Sequence, residues 1–210
     1  PTPMLPVLST PLCLDDEAQD LLFREARTAN AFSDEPVSDE QVEAIYDLIK
    51  WGPTAVNGQP LRVLLVRSDD ARARLLPHLH EGNRRKAETA PLVAVLAYDA
   101  DFHEALPRVF PHAPTAKSWF EGSPEQDAAR AAGARDNAWL QAGYFTLGIR
   151  AAGLAAGPMA GFDAAGVDAE FFADRQWRSF LVVNIGRPAE QGAWFDRSPR
   201  LDYDEVVEAV

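Results

Sequence analysis

The sequence predicts a single domain that folds as a mixed three-layer α/β or α+β sandwich. Three short apolar runs rich in β-branched residues, at 61–67, 91–98 and 179–186, are bounded by turn-forming residues and are typical of buried strands. An alanine-rich segment from about 125 to 152 predicts the longest helix, and Gly153 follows it where a helix end favours a left-handed residue. Because helices alternate with strands, we expect helices to cover both faces of a mixed central sheet.

The remaining elements follow in chain order. Residues 1–14 contain four prolines and predict an extended N-terminal arm. A helix is expected from Asp15 to about Arg27, and Ser38-Asp39-Glu40-Gln41 is a capping-box pattern that opens the next helix. Further helices are predicted at 69–79, 163–172 and 203–209, and the long helix is expected to place Leu140, Tyr144, Leu147 and Ala151 on one apolar face. The irregular, aromatic stretch 102–124 is long enough to be a lid or a binding loop.

Composition bounds the class of protein. With 210 residues, 47% of them apolar, the chain is long enough for one well-buried domain, which we assign to residues 15–210. The 20 basic and 32 acidic residues give a net charge of −12, which disfavours non-specific binding to nucleic acid or to an anionic membrane. The single Cys13 excludes an intrachain disulfide, and no apolar run is long enough to cross a bilayer, so a reducing cytoplasm is expected.

The common motifs of catalysis are absent from the sequence. It contains no glycine-rich dinucleotide or phosphate-loop pattern, no G-x-S-x-G and no H-E-x-x-H, so a nucleotide-binding fold of the Rossmann kind is not indicated. The four histidines stand in different local contexts, and we expect no metal site. The carboxylates are spread along amphipathic segments, and no acid–base pair can be singled out.

Five polar segments at element boundaries are more informative. Segment 27–30 has a guanidinium, a hydroxyl and an amide suited to one phosphate, and segment 197–200 is a basic cluster near the C-terminus. Segment 52–60 is a rigid polar loop, and segment 157–163 is rich in small residues. The fifth segment is 82–86. Taken singly, each is also explained as a helix end, a turn or a charged surface loop.

Taken in order, the five segments resemble the nitroreductase family of FMN-dependent oxidoreductases, from about residue 20 to the C-terminus. The stretches 51–54, 82–91, 106–112, 117–120 and 157–163 look like the subgroup of malonic semialdehyde reductases from pyrimidine breakdown. The resemblance implies a nitroreductase-like α/β/α sandwich in an intertwined homodimer, with FMN bound at the subunit interface and NADH or NADPH as co-substrate.

The resemblance also implies roles for individual residues. The phosphate would be surrounded by Arg27, Thr28, Asn30, Arg197 and Arg200, and the ribityl chain and pyrimidine ring would lie beside Asn83 and Lys86. The flavin ring would be covered by Pro158, Met159, Ala160 and Gly161. The partner subunit would contribute Pro53, Thr54, Ala55 and Asn57 to the same site. Asn30 stands where the family commonly has a second arginine, which shifts part of the phosphate neutralisation to Arg197 or Arg200.

The implied reaction is ping-pong transfer of hydride through flavin N5, with no catalytic side chain required and with Lys86 tuning the flavin. The expected acceptor is 3-oxopropanoate, reduced to 3-hydroxypropanoate, and Lys117, Trp119 and Phe120 are candidate lid residues for this substrate. Three alternatives stay open: a generalist reductase of nitroaromatics or quinones, a flavin-binding module without turnover, and a flavin-free protein in which the five segments are structural loops.

Overall fold

The computed structural model describes residues 12–210 of the chain, so most of the predicted arm, residues 1–11, lies outside the described residues. Four strands form one sheet in the order β1-β2-β4-β3. They are β1 (Leu61–Val66), β2 (Leu92–Asp99), β3 (Ala155–Met159) and β4 (Trp177–Gly186). The α+β prediction is confirmed, but every neighbouring pair of these strands is antiparallel, and the expected mixed sheet is not what they form. Strands β2 and β3 do run in the same direction, and β4 lies between them.

Eight α-helices surround the sheet within residues 12–210. They are α1 (Asp16–Gln19), α2 (Asp39–Ile49), α3 (Asp69–Leu75), α4 (Glu81–Thr89), α5 (Leu106–Val109), α6 (Pro124–Ala151), α7 (Ala164–Phe171) and α8 (Tyr203–Val206). A π-helical turn, Asp20–Arg24, continues α1, and 3₁₀ turns occupy Ala55–Asn57, Leu76–His78, Phe102–Ala105 and Ala116–Phe120. None of the helices in this part of the chain is both long enough and apolar enough to cross a membrane.

The ends of two helices confirm their sequence patterns. Ser38 Oγ accepts a hydrogen bond from the Gln41 N–H, and the Gln41 side chain accepts one from the Ser38 N–H, which completes the predicted capping box of α2. Gly153 has a φ of 72°, the left-handed conformation expected after α6. These local signals therefore fix where α2 begins and where α6 ends.

Two apolar clusters pack on opposite faces of the sheet. Along β2, Leu92, Ala94 and Leu96 face one cluster while Val93 and Val95 face the other, and all five are fully buried. Burial on both faces explains why this strand is a continuous apolar run rather than an alternating one.

Helix α6 turns a different face to the core than its apolar pattern predicted. The buried positions include Ala138, Ala142, Phe145 and Ile149, whereas Leu140 on the predicted face is 46% exposed. The helix therefore carries a second apolar face that the described part of this chain does not cover.

Candidate functional site

A cavity of about 420 Å³ contains four arginines, and we call it the arginine cavity. Its guanidiniums belong to Arg27, Arg150, Arg197 and Arg200, and Thr28, Asn30 and Pro158 also line it. Among residues 12–210 none of the four arginines forms an ion pair with a carboxylate. One carboxylate, Asp196, shares the cavity, so its local charge is strongly positive on a protein whose net charge is −12.

Backbone hydrogen bonds bring three distant segments together at this cavity. The Ala29 N–H donates to the Ala156 carbonyl at 3.1 Å, and the Asn30 N–H donates to the Ala193 carbonyl at 2.9 Å. The 27–30 segment therefore lies between edge strand β3 and the chain that leads to Arg197 and Arg200. The structure thus joins the first, fourth and fifth segments that the sequence singled out.

Arg150 is a site residue that the sequence analysis missed. It lies partly buried in the last turn of α6, and its guanidinium donates to the carbonyls of Leu21 at 3.2 Å and Leu154 at 3.4 Å. Burial lowers the pKa of the Arg150 side chain below its ordinary value. Because arginines are common in the last turn of a helix for electrostatic reasons, its position alone gave no indication of a binding role.

Strand β3 is buried from Ala155 to Gly157, exposed at Pro158 and buried again at Met159, and Ala160 just after it is exposed. Met159 is only 7% exposed and belongs to an apolar core cluster. Its side chain therefore points away from the face that Pro158 exposes, because successive side chains along a strand point to opposite faces. Only the backbone of Met159 is available to a ligand on the exposed face.

The third and fourth segments also meet. The Asn83 amide on α4 donates to the Gly161 carbonyl at 2.9 Å, and a Cβ on Gly161 would lie 2.8 Å from the Asn83 nitrogen. Lys86, one turn further along α4, is partly buried and forms no ion pair within the described residues. Pro158 lines the arginine cavity and Gly161 contacts Asn83, so the short 158–161 segment connects the cavity to α4.

Gly157 is required for packing within the chain rather than for contact with a ligand. A Cβ at this position would lie 2.7 Å from the Ala29 carbonyl oxygen, closer than a carbon and an oxygen can pack. The small residue is therefore needed for the approach of the 27–30 segment to β3.

The 53–57 loop lies apart from the arginine cavity. Pro53, Thr54 and Asn57 line a different cavity of about 480 Å³. The polar groups of the loop are used within the chain: Thr54 Oγ1 accepts from the Gln59 N–H at 3.2 Å, and the Asn57 amide donates to the Val109 carbonyl at 2.7 Å. The Ala55 N–H likewise donates to the Asn137 side chain at 2.8 Å. One copy of the chain does not bring this loop to the arginines.

The candidate lid residues do not line any of these cavities. The Lys117 ammonium lies 2.8 Å from a Glu104 oxygen and 3.9 Å from a Glu121 oxygen, so its charge is already paired. Phe120 packs edge-on against Phe102 with ring centroids 5.3 Å apart, and Trp119 is 53% exposed. In this conformation Lys117 is not free to meet a substrate carboxylate, contrary to the role expected for it.

Fold and site together define an α+β protein with a binding cavity for an anionic group. Comparison with known proteins makes this more specific, because the model of the nitroreductase family matches residues 23–187. The chain therefore belongs to the nitroreductase family, as its sequence motifs indicated.

Individual relatives agree with this assignment. A Streptomyces griseus protein provisionally named NADH dehydrogenase/NAD(P)H nitroreductase is 60% identical over 200 residues, which cover 95% of this chain and 99% of that protein. A Xanthomonas oryzae protein of the same provisional name is 51% identical over 92% of this chain and 96% of its own length. The fold is similar to that of a provisionally described nitroreductase in complex with FMN from Exiguobacterium sibiricum, with a TM-score of 0.79 and 20% identity over 91% of this chain and 96% of that one.

Proposed function

We infer that this chain is an FMN-dependent oxidoreductase that takes its electrons from NAD(P)H. Family membership and the names of the relatives support this class of activity. The observation that carries the inference is the arginine cavity, which holds four guanidiniums and one carboxylate and in which no guanidinium has an ion pair within residues 12–210. An acidic protein that gathers positive charge in this way provides a local binding site for an anion.

The donor set of the cavity fits the FMN phosphate. Arg27, Arg150, Arg197 and Arg200 would donate charge-assisted hydrogen bonds, each contributing about 1.5 to 3 kcal/mol, to a group with close to two negative charges. Arg150 supports this assignment because a partly buried guanidinium without a carboxylate partner leaves a positive charge to be neutralised. Thr28 and Asn30 add uncharged hydrogen-bonding groups at the same wall.

The flavin ring would lie along the exposed side of β3 and its continuation. Pro158 and Ala160 offer small exposed side chains there, and Asn83 and Lys86 stand at the far end. When bound, FMN supplies two-electron hydride transfer between NAD(P)H and an acceptor. The ammonium of Lys86, free of ion pairs in the described chain, would stabilise negative charge on the pyrimidine side of the ring.

We propose that the site is completed in a homodimer. The 53–57 loop is held away from the arginine cavity in one copy, and an exposed apolar surface lies between the two. Leu48 is 59% exposed and Trp51 is 80% exposed on this surface. Exposed aromatic and aliphatic groups next to polar ones are typical of interfaces between subunits.

Mixing two variant proteins tests the shared site. Arg27→Met damages the phosphate side, and Ala55→Trp places a bulky ring on the exposed surface of the loop. The assay uses an FMN concentration too low to saturate Arg27→Met, so that each variant alone has reduced activity. If each site takes its arginines from one subunit and its loop from the other, mixed dimers contain one intact site, and activity rises when the two variants are mixed. Absence of any recovery, with mixed dimers verified by mass spectrometry, would contradict a site built from two subunits.

For the acceptor we propose 3-oxopropanoate, on the resemblance of the 106–112 and 117–120 stretches to the semialdehyde reductases. Because Lys117 is paired, Arg108 is the better candidate for the substrate carboxylate. Arg108 is exposed, forms no ion pair in the described part of the chain, and shares a cavity of about 510 Å³ with Gln59, next to the 53–57 loop.

Steady-state kinetics test the acceptor. We expect kcat/KM for 3-oxopropanoate to exceed that for a nitroarene or a quinone, and Arg108→Met to raise KM for the semialdehyde while leaving KM for a neutral quinone unchanged. Arg135→Met, which removes an exposed arginine from α6, is the matched control. A much larger kcat/KM for the nitroarene would favour a generalist reductase.

Two further observations separate the remaining alternatives. A bound flavin that NAD(P)H does not bleach under anaerobic conditions would favour a non-catalytic flavin module. A colourless protein that does not take up added FMN would support a flavin-free protein.

A further inference from the structure

We propose that His103, Glu104 and Glu121 form a binding site for a divalent metal ion of the zinc class. We call these residues the histidine–glutamate cluster. His103 Nε2 lies 3.5 Å from Glu121 Oε2 and 3.8 Å from Glu104 Oε1, and one ligand atom from each of the three lies within 4.8 Å of the others. The sequence predicted no metal site, and the two glutamates of this cluster are 17 positions apart in the numbering.

The spacing fits a bridging ion better than direct hydrogen bonds. Zinc bonds of 2.0 to 2.2 Å in tetrahedral geometry place ligand atoms about 3.3 to 3.6 Å apart. The distance from Nε2 to Glu121 falls in that range and the distance to Glu104 is slightly longer. An N–H donor would need an acceptor within about 3.2 Å, and neither carboxylate is that close.

A second observation comes from His103 itself. Its side chain is only 5% exposed, and its Nδ1 has no hydrogen-bond partner among the described residues. Its Nε2 faces two carboxylates at 3.5 and 3.8 Å, beyond the usual hydrogen-bond distance, which is unusual because a buried imidazole normally has its nitrogens satisfied. Neutral imidazole is a common zinc ligand through Nε2, and one nitrogen with two carboxylate oxygens is a donor set that zinc accepts.

Lys117 competes with the metal for the same carboxylates. Its ammonium lies 2.8 Å from Glu104 Oε2. The other oxygen of Glu104, Oε1, is the one that faces His103. Lysine and metal are alternative cations here, so removal of the lysine charge should strengthen metal binding.

The position of the cluster suggests what the ion would do. Glu104 belongs to the 3₁₀ turn before α5, and Glu121 follows the turn that ends at Phe120. An ion held by both would join the two ends of the 104–121 segment at its base. Because Nδ1 of His103 lacks an acceptor in its second shell, we expect an exchangeable ion rather than a permanent one.

Zinc titration of the FMN-loaded protein tests the proposal. The experiment uses a Cys13→Ser background, since the exposed Cys13 thiol could bind zinc on its own. Calorimetry is expected to give about one zinc ion per subunit, and Glu121→Gln is expected to weaken binding by about tenfold or more. Glu88→Gln, an exposed glutamate on α4 without an ion pair in the described chain, is the matched control and should leave binding unchanged.

Lys117→Met gives the sharper test, because the site predicts a gain of affinity from a surface substitution. X-ray absorption at the zinc edge should show a nitrogen/oxygen shell with one imidazole, and this imidazole signal should disappear in His103→Gln. Should His103→Gln fail to fold, the Glu121 and Lys117 variants decide alone, since both side chains are partly exposed. Sub-stoichiometric binding, unchanged affinity in Glu121→Gln, or weaker binding in Lys117→Met would each overturn the proposal.

Discussion

Replacing Arg27 by methionine tests directly whether the arginine cavity holds the flavin phosphate. Methionine keeps an aliphatic chain against Trp194, over which the guanidinium lies at 5.6 Å, and removes only the charge and the donors. Loss of one charge-assisted hydrogen bond should cost FMN binding about 1.5 to 3 kcal/mol. That corresponds to a dissociation constant raised about 10- to 150-fold.

The effect on the unliganded protein should be much smaller. Arg27 has no ion pair among residues 12–210, and its contact with Trp194 contributes about 0.5 to 1 kcal/mol if it is as strong as exposed contacts of this kind. The three remaining arginines still hold the phosphate, so we expect a loss in the lower part of the range. A large loss of FMN affinity with little change in the stability of the apoprotein is the expected pattern.

The assay is flavin fluorescence during titration of the apoprotein with FMN and, separately, with riboflavin. Riboflavin has the same ring and no phosphate, so Arg27→Met should weaken FMN binding and leave riboflavin binding unchanged. Arg135→Met serves again as the control for a removed surface charge. If FMN affinity changes by less than about twofold, or if both ligands weaken equally, Arg27 does not act through the phosphate.

Three further outcomes follow from local geometry. Gly157→Ala should lower the free energy of unfolding by about 1 to 3 kcal/mol in denaturant titrations and weaken FMN binding, because its Cβ would lie 2.7 Å from a backbone oxygen of the 27–30 segment; unchanged values for both would refute this. Gly148→Ala should destabilise the protein, since its Cβ would lie 2.5 Å from a methyl of Ile49. Gly133→Ala on the same helix has open space and should stabilise the protein by about 0.5 to 1 kcal/mol. Equal effects of the two substitutions would contradict the packing of α2 on α6. The Lys117 partner depresses the pKa of Glu104, so the native state loses the stability that this pair contributes as pH falls through that pKa. The extra stability of wild type over Glu104→Gln should be present above the ordinary pKa of 4.5 and vanish in more acidic solution. A difference that persists in acid would argue against the pair.

The parts of the fold that the sequence predicted are those set by neighbouring residues. The capping box at Ser38, the left-handed Gly153 and the apolar runs of β1, β2 and β4 each depend on a few consecutive side chains. Strand β3 was missed because it contains Gly157 and Pro158, which weaken a strand pattern, and only its pairing with β4 at the edge of the sheet defines it. The antiparallel arrangement was missed for the same reason, since it depends on β4 entering between β2 and β3.

The candidate site was predictable to the extent that its residues stand next to a helix end or a turn. Segments 27–30, 157–163 and 197–200 were singled out from the sequence, and the structure brings residues of all three to one cavity. Arg150 was missed because its role depends on which face of α6 meets segment 27–30. The burial of the Met159 side chain was not predicted, because inward and outward positions can be told apart only when the strand is known.

The exposed apolar face of α6 lies between the arginine cavity and the 53–57 loop. Leu147 lines the arginine cavity and an adjoining apolar groove, and Tyr144 lies in the same groove next to Gly52, where the 53–57 loop begins. The arginines and the loop are thus at two ends of one uncovered helix face. If a second copy packs on this face by a two-fold axis so that its loop approaches the arginines of the first, the loop of the first copy approaches the arginines of the second, because the contacts of an isologous interface are reciprocal. On the dimer proposal, the apolar face of Leu140, Tyr144, Leu147 and Ala151 would pack against another subunit rather than against the sheet of its own chain.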